Sequence, residues 1–469
     1  MSEATDLIAI LRQSANEKVT AAIERLIADA PDHHLCRINV LAFAERNGFD
    51  EEQVIAAFLH AASIGLFDIS WNVLCPGCGG VLDTNATLKT MQQEEYFCTL
   101  CAAGYEPTLD EMVEVTFTVR PRVRRIGAHS PEELSPAEYF RQVYWGSGVD
   151  LPEEGYAELV DEFVVDAVEL PAGEKAILSI QLPEGPAVVF EPVTHAVQFL
   201  DVKGEPTRER QNLLMIIDRE HPHSQTMAFR PGPIRMSIEN RTDGRVLPSV
   251  CIVGEALHRM LGKRRPFLTA KRLLTNQTFR DLHRTDTLEI DQRLKITSLT
   301  FLFTDLRGST ELYERVGDLA AFDLVRAHFS ALNEIVAAEA GAVVKTIGDA
   351  VMATFPTPHR AVAAALRMRE AMRRLNEARG SEDLLLKIGI HEGPCIAVSM
   401  NERQDYFGQT VNIASRVQGL ATSQSIFATN AVVGDAQAAK VLDAAKLTPI
   451  SQEAMLRGIA GEMSLYVIP

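Results

Sequence analysis

The chain has too few basic residues for a nucleic-acid-binding protein and no apolar run long enough to span a membrane. Its 469 residues carry 46 Lys+Arg against 63 Asp+Glu, a net charge of −17. Nucleic-acid-binding surfaces have the opposite sign, and a membrane span needs roughly 20 consecutive apolar residues. The first residues, MSEATDLIAILRQSANEK, also lack the regions of a secretory signal. These absences predict a soluble, cytoplasmic protein without nucleic-acid or membrane partners.

Internal repeats and low-complexity tracts are absent too, and the remaining composition is that of a globular protein. The hydrophobic fraction is 46% and the charged fraction 23%. A chain of this length exceeds one hydrophobic core and indicates roughly three domains. Its seven cysteines, in a cytosolic setting, favour free thiols or metal ligands over disulfides.

Residues 1–72 have a mainly helical pattern. One helical segment stops at Gly48, and Asp50 opens the next with acidic residues in its first turn. An apolar strand, LFDISWNVL, follows. The order helix, turn, helix, strand predicts a winged-helix-like module.

The pattern changes three more times before residue 295. Residues 73–110 hold a cysteine cluster. Residues 111–253 contain short apolar or alternating runs broken by Gly, Pro, Asn and Asp, which predict a β-rich, sandwich-like domain. Residues 254–294 predict a helical connector.

Four cysteines form two CxxC pairs, Cys75 with Cys78 and Cys98 with Cys101, separated by nineteen residues. This spacing is typical of a zinc ribbon, in which four thiolates close a structural zinc site. A redox-sensing pair of dithiols is the alternative. The other cysteines stand alone and are predicted to be small buried hydrophobic residues: Cys36, Cys251 and Cys395.

A winged-helix outline followed by a zinc ribbon also occurs in DNA-binding proteins. Residues 1–110, however, contain 6 Lys+Arg and 16 Asp+Glu, a net charge of −10. Contacts to phosphates need positive charge, so a scaffold or protein-interaction role is favoured.

The histidines of REHPHSQT, residues 219–226, are predicted to lie in a solvated loop rather than a metal site.

Strand and helix patterns alternate from residue 295 onward. The order is strand (ITSLTFLFTD), long helix (ELYERVGDLAAFDLVRAHFSALNEIVAAEA), hairpin (GAVVKTIGDAVMATF), helix (HRAVAAALRMREAMRRLNEA), strand (LLLKIGIHEG), helix (TVNIASRVQGLA) and strand (SIFAT). This order predicts an α/β domain over residues 295–469 with helices on one face of the sheet.

Two carboxylates are predicted to converge in this domain. Asp305 ends an apolar strand, and Asp349 lies in the tight turn of KTIGDAV, where Gly348 permits the turn. If the hairpin pairs beside the first strand, the two carboxylates together form an Mg²⁺ site for phosphate chemistry. Taken singly, Asp305 as a helix cap and Asp349 as a turn residue are the simpler interpretations.

Two further patterns are weaker. Gly308, Ser309 and Thr310 open a helix, whose free backbone N–H groups form a natural phosphate site, although Ser and Thr favour helix starts in any case. Asn412 and Arg416 lie four residues apart and share one helix face. Arg can stabilise charge on a phosphoryl group, while an exposed polar face is the alternative.

Together and in this order, the segments FTDLRGST, KTIGDAVMATF, KIGIHEG and DYFGQTVNIASR resemble the signature segments of the class III adenylate and guanylate cyclases. The resemblance covers residues 295–469 and depends on the joint spacing. It implies an α/β sandwich with a ferredoxin-like core. The whole chain is then a multidomain α+β protein, and its N-terminal half resembles an uncharacterised region that precedes cyclase domains in some bacterial proteins.

The resemblance implies roles for these residues. Asp305 and Asp349 correspond to the family's aspartates that hold two Mg²⁺ or Mn²⁺ ions per active site. Asn412 corresponds to the residue that orients the ribose and Arg416 to the residue that stabilises the transition state. Arg457, in LRGIAG, falls where the family places a basic residue on the terminal phosphates.

Lys345 and Asp405 correspond to the family's purine-reading pair. A lysine donor and an aspartate acceptor complement adenine, whereas guanine reverses that pattern, so ATP is favoured over GTP. Because the family assembles its active site across a dimer interface, one chain with both residue sets implies a homodimer with two composite sites. The sequence therefore predicts an adenylate cyclase regulated through its N-terminal half by a protein or small-molecule effector. A guanylate cyclase, a catalytically silent nucleotide-binding switch and a zinc-ribbon transcription factor are the rivals.

Overall fold

The computed structural model describes residues 3–91, 95–218, 226–283, 294–308, 314–400, 403–422, 425–459 and 461–469. Contacts divide the chain into two compact units. The N-terminal unit comprises Met1–Thr87, Gln93–Pro107 and Met112–Leu268, and the C-terminal unit comprises Leu88–Gln92, Thr108–Glu111 and Thr269–Pro469. No helix among the described residues is both long and apolar enough to cross a membrane.

The N-terminal unit begins with four helices and continues mainly as strands. Its helices are α1 (Glu3–Ser14), α2 (Glu17–Asp29), α3 (Val40–Asn47), α4 (Glu51–Ser63), α5 (Pro136–Tyr139), α6 (Tyr156–Asp161) and α7 (Glu255–Gly262), with a π-helical turn at Phe140–Tyr144. Its strands are β1 (Phe67–Leu74), β2 (Val81–Asn85), β3 (Tyr96–Cys98), β4 (Ala103–Tyr105), β5 (Val113–Val119), β6 (Val164–Ala167), β7 (Lys175–Leu182), β8 (Gly185–Phe190), β9 (Val197–Val202), β10 (Gln211–Ile217), β11 (Met227–Phe229), β12 (Gly232–Asn240) and β13 (Ser249–Ile252).

The boundary between α3 and α4 confirms the sequence pattern. Gly48 ends α3 in a left-handed conformation with φ of 65°, which glycine adopts without strain. Asp50 caps α4 by accepting a hydrogen bond from the backbone N–H of Gln53. The winged-helix assignment itself, like the predicted domain boundaries, stays a prediction.

The strands of the N-terminal unit form four sheets. Their orders are β2-β1-β5, β3-β4, β10-β12-β7 and β11-β9-β8-β13-β6. Strands β7 and β12 alternate buried and more exposed positions, as expected for a sheet with one face on a core. A single apolar core joins residues from the last two sheets, including Ile180, Val189 and Met236.

The C-terminal unit is one mixed sheet with its helices. The helices are α8 (Ala270–Leu274), α9 (Gln277–Leu282), α10 (Asp318–Ala338), α11 (Pro358–Arg379), α12 (Gln409–Leu420), α13 (Asn430–Val433) and α14 (Ala436–Ala444). The strands are β14 (Leu294–Leu306), β15 (Ala342–Ile347), β16 (Ala350–Phe355), β17 (Leu386–Met400), β18 (Arg403–Phe407), β19 (Ile426–Thr429), β20 (Ile450–Met455) and β21 (Glu462–Ile468). The sheet order is β15-β16-β14-β17-β19-β21-β20, and β18 pairs with β17.

The prediction that helices cover only one face of this sheet is wrong. Ile388 and Ile390 of β17 join a core that includes residues of α10 and α11. Successive strand residues point to opposite faces, and Gly389 between them lies against α12. A Cβ atom at Gly389 would lie 2.2 Å from the backbone nitrogen of Gln418, so glycine allows α12 to approach the second face closely.

The predicted long helix is interrupted at Gly317 in the structure, and its first residues, 311–313, lie outside the described part of the chain. Its main part, α10, begins at Asp318 because Gly317 has a φ of 82°, outside the helical region. The elements after Thr429, from α13 to β21, were not part of the sequence prediction. They complete the sheet, since β21 pairs with β19 and β20 pairs with β21.

Candidate active site and cysteine cluster

The strand pairing of the C-terminal unit brings Asp305 and Asp349 together. Asp305 lies near the end of β14, and Asp349 lies with Gly348 in the turn between β15 and β16. β16 pairs antiparallel with β14, opposing Val351 to Thr304, which confirms the expected placement of the hairpin beside the first strand. Gly348 has a φ of 63°, the left-handed conformation that such a turn requires.

The electrostatics of this carboxylate pair favour a bound cation. Burial and the nearby charge of Asp349 raise the pKa of Asp305, while Lys387 and Gln418 act in the opposite direction. Oδ2 of Asp349 is buried and has no hydrogen-bond partner among the described residues. A buried oxygen without a partner beside a second carboxylate matches the ligand chemistry of a divalent cation such as Mg²⁺.

Lys345 and Asp405 also lie together. The Nζ atom of Lys345 on β15 is 2.5 Å from Oδ2 of Asp405 on β18. The other oxygen of Asp405 accepts a hydrogen bond from the backbone N–H of Tyr406 at 2.9 Å. The Lys345 side chain is 42% exposed and the Asp405 side chain 12% exposed. A donor and an acceptor are therefore held side by side, and the donor is open to a ligand.

Helix α12 carries the other two predicted catalytic residues. Asn412 is exposed and Arg416 is partly exposed, one turn apart on the same face. The Arg416 guanidinium lies beside Gly458, close to Arg457 in the turn between β20 and β21, and Arg457 itself is exposed. Within the described residues, no hydrogen bond or ion pair joins Arg416 to either of the two pairs above.

The predicted phosphate-binding segment is only partly described. Gly308 follows β14 in a turn with a φ of 69°. Ser309 and Thr310 lie outside the described residues, so their predicted contact with phosphate stays a prediction.

His328 is a site neighbour that the sequence analysis did not single out. It is fully buried on α10, with Nδ1 3.4 Å from the sulfur of Met372. Burial lowers its pKa to about 4, against the opposing influence of the backbone and charge of Asp349. A neutral imidazole therefore lies near the Asp349 turn. A histidine in the apolar stretch LVRAHFSAL was the available signal, but such a residue alone indicates only a core position.

The four predicted zinc ligands meet in the N-terminal unit. The Sγ atoms of Cys75, Cys78, Cys98 and Cys101 all lie within 4.8 Å of one another, and within the described residues this is the one group of three or more potential metal ligands. The Cys75–Cys101 and Cys78–Cys98 sulfur distances are 3.6 and 3.7 Å. Hydrogen bonding with the other three thiols lowers the pKa of Cys75.

The remaining cysteines do not join this group. Cys251 and Cys395 are buried and Cys36 is half-buried, as expected for packing residues. Burial raises the pKa of Cys251 and of Cys395 to about 12, so both stay protonated at neutral pH. Of the histidine-containing stretch, residues 219–225 lie outside the described part of the chain.

Comparison with known proteins agrees with this geometry. Residues 292–468 match the model of the adenylate and guanylate cyclase catalytic domain, so the C-terminal unit is a class III nucleotide cyclase domain. The chain as a whole belongs to the family described as a family of unknown function, DUF5939, whose model matches residues 1–281, more than half of its length.

Several adenylate cyclases are similar to part of the chain. That of Anabaena cylindrica is 31% identical over 135 residues, covering 26% of this chain and 27% of the relative. Adenylate cyclase 1 of Rhizobium meliloti is 27% identical over 184 residues, covering 36% and 27%. The crystal structure of the adenylyl cyclase CyaB from P. aeruginosa aligns with a TM-score of 0.33 and 23% identity, covering 38% of this chain and 96% of that chain. The match thus spans about a quarter of the length of the first two relatives.

Proposed function

We propose that the chain is an adenylate cyclase that converts ATP to 3′,5′-cyclic AMP and pyrophosphate. The observation that carries the proposal is one hairpin with two functions: β15 presents Lys345 to Asp405, and the turn after it presents Asp349 to Asp305. One hairpin thereby carries a residue that would bind the nucleotide base, Lys345, and a residue that would bind the metal ions of the triphosphate, Asp349. The similarity to adenylate cyclases supports the same conclusion.

Asp305 and Asp349 would hold two Mg²⁺ or Mn²⁺ ions. Burial and the nearby charge of Asp349 raise the pKa of Asp305, and Oδ2 of Asp349 has no hydrogen-bond partner among the described residues. Both observations fit this role. When bound, the ions lower the pKa of the ribose 3′-hydroxyl and neutralise the triphosphate. The two carboxylates fix where the reacting oxygen and the α-phosphorus meet, and positioning supplies much of the acceleration.

The other residues bind and orient the nucleotide. Lys345 would donate to a ring nitrogen of adenine, and Asp405 would accept from its exocyclic amine. Asn412 would orient the ribose, and Arg416 would stabilise charge on the α-phosphoryl group as pyrophosphate leaves. Backbone N–H groups of the segment from Gly308 through Ser309 and Thr310, together with Arg457, would contact the phosphates.

The active site is proposed to form between two copies of the chain. Within the described residues Arg416 makes no ion pair or hydrogen bond, so its guanidinium remains available to a nucleotide held by a second copy. Large apolar side chains are exposed on the same unit, with Leu319 85% exposed and Phe322, Ile347 and Phe407 each more than half exposed. Exposed apolar groups of this kind support self-association.

A structural Zn²⁺ ion is proposed for the cysteine cluster. Four sulfurs around zinc at about 2.3 Å are about 3.8 Å apart in a tetrahedron, close to the observed 3.6 and 3.7 Å. Four thiolates leave no position for a substrate, so the ion holds β1, β3 and the loops beside them together. The fit favours zinc over the redox-dithiol alternative.

Regulation by the N-terminal half is the third part of the proposal. More than 250 residues precede the cyclase domain, and the family model that covers them has no assigned function. Comparing the full chain with residues 290–469 tests this part. Equal activity and equal response to effectors in both would contradict it.

The test of the activity uses purified protein with Mg²⁺ or Mn²⁺ and ATP or GTP, with cyclic products quantified by chromatography. Asp305→Ala and Arg416→Ala are assayed alone and after mixing under conditions of subunit exchange. We expect cyclic AMP from the wild type, a loss of roughly 10²- to 10³-fold in each variant, and partial recovery on mixing because one of the two composite sites is then intact. Cyclic GMP as the main product would identify a guanylate cyclase, and no product from the full chain or from residues 290–469 would leave a silent nucleotide-binding switch.

A further inference from the structure

Two short helices precede the first strand of the cyclase sheet and belong to the same compact unit. Thr269 caps α8 and Asn276 caps α9, each by accepting a backbone N–H bond, from Arg272 and Phe279. The match to the family of unknown function extends to residue 281. These helices therefore lie in the part of the chain that the model of this family matches up to residue 281, yet they pack within the C-terminal unit.

Arg280 on α9 bonds both strands of the purine-reading pair. Its Nη2 atom donates to the carbonyl oxygen of Gln404 at 3.0 Å and to that of Val344 at 3.4 Å. Gln404 directly precedes Asp405, and Val344 directly precedes Lys345. A single guanidinium nitrogen thus fixes the backbone immediately before both members of the pair.

The pairing of β15 is irregular just before Lys345. The pairing of β15 with β16 shifts between Val343 and Lys345, which leaves Val344 as the extra residue of a β-bulge. Bulges near functional sites redirect the side chains that follow them. The side-chain oxygen of Gln277, also on α9, accepts the backbone N–H of Val343 at 2.9 Å. Helix α9 therefore bonds the backbone on both sides of the bulge peptide.

The strand of Asp405 is held in a similar way. The side chain of Gln404 donates to the Tyr406 hydroxyl at 2.8 Å, and this hydroxyl donates to the carbonyl oxygen of Leu274, the last residue of α8, at 3.5 Å. Gln404, Asp405 and Tyr406 are all buried. β18 pairs with β17, whereas β15 pairs with β16, so no strand ladder among the described elements joins the two strands.

We propose that Arg280 is a positioning residue that sets the distance between Lys345 and Asp405 and thereby the preference for adenine over guanine. The inference rests on the proposed nucleotide cyclase function. Because α9 bonds the backbone of both strands, a shift of this helix changes the distance between the lysine donor and the aspartate acceptor. Arg280 acts through the backbone and touches no substrate.

The experiment compares Arg280→Met and Arg280→Lys with the wild-type full-length protein. For each, kcat and KM are measured with ATP and with GTP, and binding is measured with 3′-deoxy-ATP and 3′-deoxy-GTP, which cannot cyclise. In Arg280→Met we expect KM for ATP to rise about tenfold and the ATP/GTP preference to fall about tenfold, less than the roughly 100-fold that a 1 Å misplacement can cost. Arg280→Lys keeps the charge and one donor, so it recovers part of the preference.

Two further variants make the test specific. Gln277→Leu removes the acceptor for Val343 and should shift the ATP/GTP preference in the same direction, about threefold. Leu282→Gln changes an exposed residue of the same helix and should leave both nucleotides unaffected. A general loss of folded enzyme would instead lower kcat for both nucleotides equally and leave KM and the binding ratio unchanged.

The outcomes separate the two proposals. An active wild type with an unchanged ATP/GTP ratio in Arg280→Met, or in both Arg280→Lys and Gln277→Leu if Arg280→Met does not fold, overturns the role of Arg280 alone. A wild type that neither cyclises nor binds either nucleotide overturns the proposed function and this inference with it. A shifted ratio in the variants and not in Leu282→Gln supports the inference.

Discussion

In the N-terminal unit Glu191 is fully buried, yet each of its carboxylate oxygens accepts two hydrogen bonds. The donors are the backbone N–H groups of Val193, Thr194 and Leu247 and the hydroxyl of Thr194, at 2.6 to 2.9 Å. In the C-terminal unit Asp349 presents a buried oxygen that has no partner among the described residues. Both oxygens of the Glu191 carboxylate thus accept hydrogen bonds, whereas one oxygen of the Asp349 carboxylate accepts none from the described residues.

The difference is the one expected between a structural carboxylate and the carboxylate proposed to bind a cation. Burying an acceptor without a partner costs free energy, and a cation bound at Asp349 would offset that cost. Glu114 repeats the structural case: it is buried and accepts from Asn72 and from the backbone and hydroxyl of Ser147. Burial alone therefore does not mark a functional carboxylate, because both oxygens of Glu191 and of Glu114 accept hydrogen bonds whereas Oδ2 of Asp349 does not among the described residues.

The cysteine cluster gives the largest expected effect, because it is the one group in the described N-terminal unit proposed to need an ion. Removing zinc with a chelator under mild denaturant should destabilise this unit by about 4 kcal/mol, the value for a free metal concentration near 1,000 times Kd. Metal analysis before and after treatment should show one zinc per chain lost, and thermal unfolding by circular dichroism should show the earlier transition.

The matched control for zinc removal replaces a cysteine outside the cluster. Cys98→Ser should reproduce the loss of metal and stability, while Cys251→Ser should retain the metal. Full stability without any bound zinc would show that the four thiols satisfy one another and would favour the redox-dithiol interpretation.

Replacing Glu191 is the next test and should disrupt only the N-terminal unit. Glu191→Ala leaves four donors without their acceptor, among them the buried backbone N–H of Leu247, and we expect a loss of about 3 kcal/mol in the free energy of unfolding. Urea unfolding followed by circular dichroism measures this loss. Glu158→Ala, at an exposed position on α6, should change stability by no more than about 0.5 kcal/mol. A similarly small change for Glu191→Ala would show that satisfied hydrogen bonds do not distinguish the two carboxylates.

The sequence predicted the C-terminal unit better than the N-terminal unit for a physical reason. Asp305, Lys345, Asp349 and Asp405 each lie within short motifs whose strands and turn are fixed by local residues, and pairing of adjacent segments then brings them together. The turn at Gly348 illustrates this, since its φ of 63° is a local property. Which face α12 covers is not local, so the one-face prediction failed.

Contacts over long sequence separations were not predictable from the pattern. The bonds of Arg280 to Val344 and Gln404 join residues 64 and 124 positions apart. An arginine in a short helix with no motif gives no signal of its destination. The cysteine cluster is the exception in the N-terminal unit, because CxxC spacing carries the chemistry of its ligand directly.

The smallest expected effect concerns the stability cost of the proposed metal site. Since the folded-state pKa of Asp305 is raised above its usual value, its ionisation disfavours the folded state, and the penalty appears as the pH rises through the folded pKa. Asp305→Asn in EDTA at pH 7.5 should therefore raise Tm by about 1–2 °C, since solvent screening keeps the effect below roughly 1 kcal/mol. The gain should vanish at a pH below about 3.9, the unfolded-state pKa, where the carboxyl is protonated in both states.

Adding Mg²⁺ at pH 7.5 should raise the Tm of the wild type and not that of Asp305→Asn. An equal response of both proteins to Mg²⁺ would mean that Asp305 binds no cation, and the contrast with the satisfied Glu191 would then lose its functional meaning.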